Sequence, residues 1–319
     1  MNIVWIGFHN EGVFAFRRAL EMGKAIVGFV TLDDAAFLKR SAGTREYLQL
    51  CEEYNVPVHY ISTIKSNAAY SIIQQMKPDL SIVLGWSEIV PQTILEIPTV
   101  GTVGAHASLL PHNRGSAPVN WSIINGEEKT GNTLMWLNDD VDAGEIIDQV
   151  EIDITPYDTC ATIYDKVAQT NATMIIKLIE RLECSQYTSM NVVNKADEPI
   201  LPRRRPKDGE VIWTQSSRAI YNFVRALTRP YPGAFSYIGE KKYLIWSASL
   251  LPDDTPNNAP GAIIGSVVSP LEDACGILVT CQYGSIILHE IEDESGNIFK
   301  GHHGFKEFVG AHFEERGLR

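Results

Sequence analysis

Between Gly101 and Gly144 the chain places one histidine, His106, and then three carboxylates, Asp139, Asp140 and Asp142, at a spacing that could serve acid/base chemistry. An imidazole changes charge near neutral pH, and a neighbouring carboxylate orients the ring and stabilises its charged form, so such a pair can carry a proton during group transfer. Each residue alone also has a plainer reading. A histidine at a strand end is commonly a satisfied structural residue, and an aspartate in DDVDAG is commonly turn chemistry.

The elements that must position the pair follow from patterning. The apolar run Val100 to Val103 reads as a strand that ends near His106, and the ends of strands are where α/β proteins bind ligands. Pro118 suits the first position of a helix. Upstream, strands are expected at Asn2 to Phe8, Ala25 to Leu32, Val56 to Ile61 and Asp79 to Trp86. Helices are expected at Gly12 to Met22, Thr44 to Tyr54 and Ile64 to Met76. Downstream, a hairpin-like pair runs from Thr133 to Ile154, and Asp158 to Leu182 reads as a long amphipathic helix. This alternation predicts an α/β fold, a Rossmann-like, mostly parallel sheet covered by helices. The first turn, GFHNEG, lacks the G-x-G-x-x-G spacing of a dinucleotide site.

From Glu183 to Gly209 the composition turns to Ser, Asn, Pro and the basic run Arg203, Arg204, Arg205, Pro206, Lys207. That reads as a solvated linker, with phosphate contact as the functional alternative. Beyond it, a helix at Ser217 to Thr228 precedes strand-like runs at Ala234 to Ile238, Lys242 to Ser247, Gly261 to Val268, Gly276 to Cys281 and Ser285 to Glu290. Short strands without intervening helices suggest a smaller C-terminal β-barrel-like domain. The expected division is 1–183 for the first domain, 184–210 for the linker and 211–319 for the second domain.

With 27 basic and 39 acidic residues the chain carries a formal charge of −12, which works against a nucleic-acid partner held by its phosphates. The five cysteines, Cys51, Cys160, Cys184, Cys275 and Cys281, are widely spaced without a CxxC pair, so neither a disulfide framework nor a metal site is expected. His302 and His303 lack a third ligand and read as loop residues. No apolar run reaches membrane-spanning length and no secretory leader is evident, so the expected location is cytoplasmic, without a membrane partner. A homodimer is compatible with the sequence.

The stretch HASLLPHNRGSAPVNWSIINGEEKTG followed by DDVDAGEII resembles the folate-dependent formyltransferases, a group that includes the methionyl-tRNA formyltransferases and enzymes that formylate amino sugars. Their signature is N-x-H-x-S-L-L-P-x-x-R-G-x-x-P with a later D-x-G, and here Gly104 stands at the asparagine position. RRRPKDGEVIW and RALTRPYPGAFSY are similar to the barrel-like domain attached to sugar-type members. The resemblance implies the formyltransferase fold and transfer of a formyl group from N10-formyltetrahydrofolate to a primary amine. It assigns His106 as proton shuttle and Asp142 as its partner, and places Gly104 where the family's oxyanion donor sits. It implies cofactor contacts, largely through backbone groups, at Glu88, Ile89, Val90, Ser116, Asn138, Asp139, Asp140 and Val141. The acceptor is expected near His112, Asn113, Arg114 and Asn120, with holding the loop in place as the equal alternative for Arg114.

The segment after the second strand, DDAAFLKRSAGTR, is short and mixed in sign, where tRNA-formylating members carry a basic insertion. With the net acidity, this favours a nucleotide-activated amino sugar over tRNA. The wording is nearest to the domain acting on UDP-4-amino-4-deoxy-L-arabinose. A methionyl-tRNA formyltransferase, a non-catalytic folate-binding homologue and a formylfolate hydrolase are the alternatives.

Overall fold

The apolar runs become strands where side chains are covered on both faces of a sheet, and the amphipathic runs become the helices that cover it. The computed structural model describes residues 1–40, 43–185, 199–252 and 258–317, so residues 186–198 of the expected linker lie outside the described residues, as does the side chain of His302. The chain divides into two compact units, the first comprising Met1–Pro118, Lys129–Asp153 and Thr162–Pro202, the second Val119–Glu128, Ile154–Ala161 and Arg203–Arg319.

In chain order the elements of the first half are β1 (Ile3–Ile6), α1 (Val13–Glu21), β2 (Ile26–Leu32), α2 (Asp34–Phe37), α3 (Glu46–Tyr54), β3 (Val58–Ile61), α4 (Asn67–Met76), β4 (Leu80–Val83), α5 (Gln92–Leu95), β5 (Gly101–His106), α6 (Pro118–Ile124), β6 (Lys129–Trp136), β7 (Ile146–Asp153) and α7 (Cys160–Glu183). The strands form a seven-stranded sheet ordered β3-β2-β1-β4-β5-β6-β7. Strands β1 to β5 pair in parallel, and β6 and β7 add an antiparallel edge.

Alternation along the central strands sends Ile3, Trp5, Leu80, Ile82 and Val103 into one core layer and Val4, Ile6 and Val83 into the other. The expected strand Asp79 to Trp86 ends early, at Val83, because Gly85 takes a positive φ of 63° and turns the chain at the rim. Likewise α4 begins after Ile64, where the Ser66 hydroxyl caps it by accepting from the Ala69 amide at 3.1 Å.

In the second unit, α8 (Ser217–Leu227) packs on strands β8 (Ala234–Ile238), β9 (Lys241–Leu250), β10 (Ile263–Val267), β11 (Gly276–Thr280), β12 (Ser285–Asp293) and β13 (Ile298–Lys300). These form one antiparallel sheet ordered β10-β11-β12-β9-β8, with β13 paired to β12. The segment Gly310–Glu314 then bonds both of its edges: Phe313 N donates to Gly261 O at 2.8 Å, and Glu314 N donates to Tyr237 O at 2.8 Å. Trp213 and Phe313 stack inside, with ring centroids 5.2 Å apart.

Arg204, expected in a solvated linker, is half-buried, with its guanidinium over the Trp121 and Phe223 rings, whereas Arg203, Arg205 and Lys207 are exposed. Among the described residues no helix is long and apolar enough to cross a membrane, and no cluster of three or more His, Cys, Asp or Glu could hold a metal ion.

Candidate active site

His106 is the last residue of β5, and the chain turns directly after it, with Ser108 N donating to His106 O at 2.8 Å. The turn is held from β6 and β7. Thr133 Oγ1 donates to Ser108 O at 2.6 Å and accepts from Leu110 N at 3.1 Å, while Gln149 Nε2 reaches Leu110 O at 3.0 Å. Ser108 Oγ closes the loop on His112 O at 2.7 Å. These bonds fix the turn through the backbone groups of Ser108, Leu110 and His112.

Asp142 comes from the β6–β7 connection, which folds back over β5. Its Oδ1 lies 3.4 Å from His106 Nδ1, and its Oδ2 accepts from Gly115 N at 2.9 Å. The other ring nitrogen, Nε2, is 2.9 Å from Asn113 O. Both nitrogens therefore face acceptors, Nε2 within hydrogen-bond distance and Nδ1 just beyond it. His106 is 8% exposed, so water competes little for either contact. Asn113, Ala117 and Asp142 all take positive φ, at 55°, 56° and 49°, a conformation that costs energy for side chains with a Cβ and persists where the surroundings impose it.

Arg114 is buried, with its NH2 nitrogen donating to Val141 O at 2.6 Å, so it ties the two loops that flank the imidazole. From the expected linker, Leu201 N donates to Arg114 O at 2.7 Å and Leu201 O accepts from Ser116 N at 3.2 Å. Ser116 is thus engaged through its backbone, and His112 is exposed at the loop surface. Asn138, Asp139 and Asp140 are exposed beside Val141, and Asn138 Oδ1 accepts from Asp140 N at 3.2 Å. Asn120, placed near the substrate in the sequence, is fully buried within the second unit, where its Nδ2 donates to Ala226 O at 2.6 Å and its Oδ1 has no partner.

After β4, Val90 is buried and Ile89 is 58% exposed. The Glu88 side chain turns back onto neighbouring loops, accepting from Arg40 at 2.9 Å, Thr63 Oγ1 at 2.8 Å and Ile64 N at 3.0 Å. Sequence reading gave Glu88 no such partners, because Arg40 and Thr63 follow other strands and meet it only at the rim.

On the same rim, burial and then the Arg40 cation lower His9 to about 4, and burial raises Glu11 to about 7. Neither residue was singled out in the sequence. Leu137 was also missed. Its side chain lies over Gly104, and the only trace of it in the sequence is the glycine itself.

Fit to a flat, heteroatom-rich ligand can be tested on buried polar atoms that lack partners. Trp86 Nε1, Arg114 Nε and Glu145 Oε1 are such atoms, and they lie on the segments after β4, β5 and β6 that frame His106. Unmet donors and acceptors are costly unless a ligand or water completes them, so these segments suit a polar ring system. A groove of about 840 Å³ between α4 and α5 includes none of these residues.

Comparison with known proteins finds matches along most of the chain. The model of the formyl transferase family matches residues 17–179, and that of the formyl transferase C-terminal domain matches residues 204–308. A methionyl-tRNA formyltransferase of Desulforamulus reducens is 33% identical over 301 residues, covering 92% of this chain and 90% of that protein. The bifunctional polymyxin resistance protein ArnA of Wigglesworthia glossinidia brevipalpis is 30% identical over 276 residues, covering 86% of this chain and 41% of that longer protein. Among solved structures, an N-formyltransferase from Helicobacter canadensis in complex with folinic acid and dTDP-3-aminofucose superposes with a TM-score of 0.63 at 18% identity, covering 90% of this chain and 98% of that one.

Proposed function

The chain belongs to the formyl transferase family, and from that premise we propose that it passes a formyl group from N10-formyltetrahydrofolate to the primary amine of a nucleotide-linked amino sugar, in a biosynthetic step in the cytoplasm. The observation that carries the reading is the His106–Asp142 pair, 3.4 Å apart at the end of β5 and framed by unmet polar atoms on three loops. The donor supplies an activated one-carbon unit on nitrogen.

The chain's own residues manage the protons. An incoming amine must lose a proton as it bonds to the formyl carbon, and the departing nitrogen must gain one. Asp142 lies beside Nδ1, which leaves Nε2 as the atom to exchange protons. It does so once the reacting nitrogens replace Asn113 O, which requires the His112–Gly115 loop to yield that contact. The backbone of Glu88 to Val90, Ser116 and Asn138 to Val141 would hold the donor, and His112, Asn113 and Arg114 would meet the acceptor.

Support for a sugar acceptor comes from the short, mixed-sign segment Asp33 to Arg45 and the charge of −12, and from the dTDP-3-aminofucose bound to the Helicobacter canadensis enzyme. A second reading, methionyl-tRNA as acceptor, is favoured by the Desulforamulus reducens relative, which matches along nearly its whole length. An assay with N10-formyltetrahydrofolate and, in parallel, UDP-4-amino-4-deoxy-L-arabinose, dTDP-3-aminofucose and charged initiator tRNA separates the two. The expected outcome is formylation of a sugar, and formylation of the tRNA alone rejects it. Folate binding with no transfer to any amine would instead indicate a non-catalytic homologue, in keeping with Gly104.

A further inference from the structure

Gly104 has no side chain, yet the space above it is filled. A Cβ placed there would lie 2.9 to 3.1 Å from the Leu137 side chain, closer than such atoms approach without displacement. Thr102, Gly104 and His106 alternate onto one face of β5, so Leu137 rests between a buried hydroxyl and the imidazole. Its position is set at the backbone, where Leu137 N donates to Thr102 O at 2.8 Å. The side chain packs on the layer that contains Val4, Ile6 and Val83 while staying partly exposed on its other side. An apolar wall thus stands on the face of β5 that carries His106.

A site that carries an acyl group between nitrogens also offers it to water, and excluding water is what prevents that loss. We infer that Leu137, seated over Gly104, denies water a place beside His106 and Asp142 and so commits the formyl group to amine acceptors. The inference rests on the formyl-transfer reading above and adds the residue that decides between acceptors.

In the suppressed reaction the oxygen of water bonds to the formyl carbon and the bond from that carbon to N10 breaks. One proton of the water passes to N10 through His106, the other is released to solvent, and formate and tetrahydrofolate leave. Water needs a share of space of about 30 Å³ and two to four polar partners to settle. Shortening Leu137 to alanine would supply the space, and the Asp142 carboxylate and the His106 ring would supply polar partners at the end of it that faces the pair.

The test measures a ratio. The full chain is given N10-formyltetrahydrofolate and whichever of UDP-4-amino-4-deoxy-L-arabinose, dTDP-3-aminofucose or charged initiator tRNA the wild type formylates, and formate and formylated acceptor are quantified together. Their ratio does not depend on the fraction of protein that is folded. Leu137→Ala is expected to raise formate relative to formylated acceptor by about tenfold or more, a change of about 1.4 kcal/mol in relative barriers. Leu137→Met, which keeps the volume, is expected to stay within about twofold of wild type. An unchanged ratio in Leu137→Ala, or an equal rise in both variants, overturns the inference while leaving formyl transfer standing. A wild type that formylates no acceptor and releases no formate overturns the transfer reading and this inference with it.

Discussion

Asp142 and Glu88 stand at the same rim of one sheet and are exposed almost equally, 17% and 15% of their side chains, yet they are satisfied in opposite ways. Glu88 faces a permanent cation, Arg40, through one oxygen and takes a hydroxyl and an amide on the other. Asp142 has a single amide on Oδ2, and its Oδ1 faces a titratable ring across 3.4 Å, beyond a normal hydrogen bond. A carboxylate whose lone pairs are filled by fixed donors holds loops together. One left with spare capacity beside an imidazole can follow a proton, and its contact tightens only when the reacting groups arrive.

The largest effect that could break this contrast is catalytic. His106→Ala is expected to lower kcat/KM by about 10² to 10⁴, the span of a positioned acid/base group. Asp142→Asn should lose less, because the ring remains. Steady-state assays at saturating donor check both, and an undiminished rate in His106→Ala would remove the contrast altogether. Glu88→Ala should act on stability instead, lowering the unfolding free energy by about 1.5 to 3 kcal/mol through lost charge-assisted bonds, read as a shift of the urea midpoint. Asp142→Ala should shift that midpoint by less than half as much. Equal shifts would mean that both carboxylates are structural.

The smallest effect concerns pH. Glu11, raised from 4.5 to about 7, binds protons more tightly in the folded chain, so its contribution is full below pH 4.5 and is lost as pH rises towards 7. His9, lowered from 6.5 to about 4, does the reverse, contributing fully above 6.5 and losing that contribution as pH falls towards 4. Their opposed slopes should leave wild-type stability nearly flat from this pair between pH 4.5 and 6.5. Glu11→Gln should uncover a rise in stability with pH over that window, and His9→Phe a fall. Urea titrations at pH 4.5, 5.5 and 6.5 check the signs.

What could be read from the residues alone was local. Continuous apolar runs located the buried strands, whereas the choice of His106 and of Asp142 among three neighbouring aspartates rested on the family resemblance. What could not be read depended on how separate loops fold over the sheet. The β6–β7 connection doubles back so that Leu137 covers Gly104, a contact that no periodicity encodes. Glu88 finds Arg40 and Thr63 only because three strands bring their ends together. Asn120 looked like part of the signature loop, but α6 leaves the first unit one residue after Pro118 and carries Asn120 into the core of the second. Arg204 reads as a solvated charge until two aromatic rings from distant segments are placed beneath it.

The bonds that Gly310–Glu314 makes to both margins of the antiparallel sheet have a bearing on synthesis and handling. Until residue 314 has been made, the backbone groups of Tyr237, Gly261 and Ile263 that this segment bonds stay open to any neighbouring polypeptide, a template for unwanted pairing between nascent chains. Trimming the protein before Gly310 should therefore yield a species that clumps, while a fusion placed beyond Gly317 leaves the fastening intact.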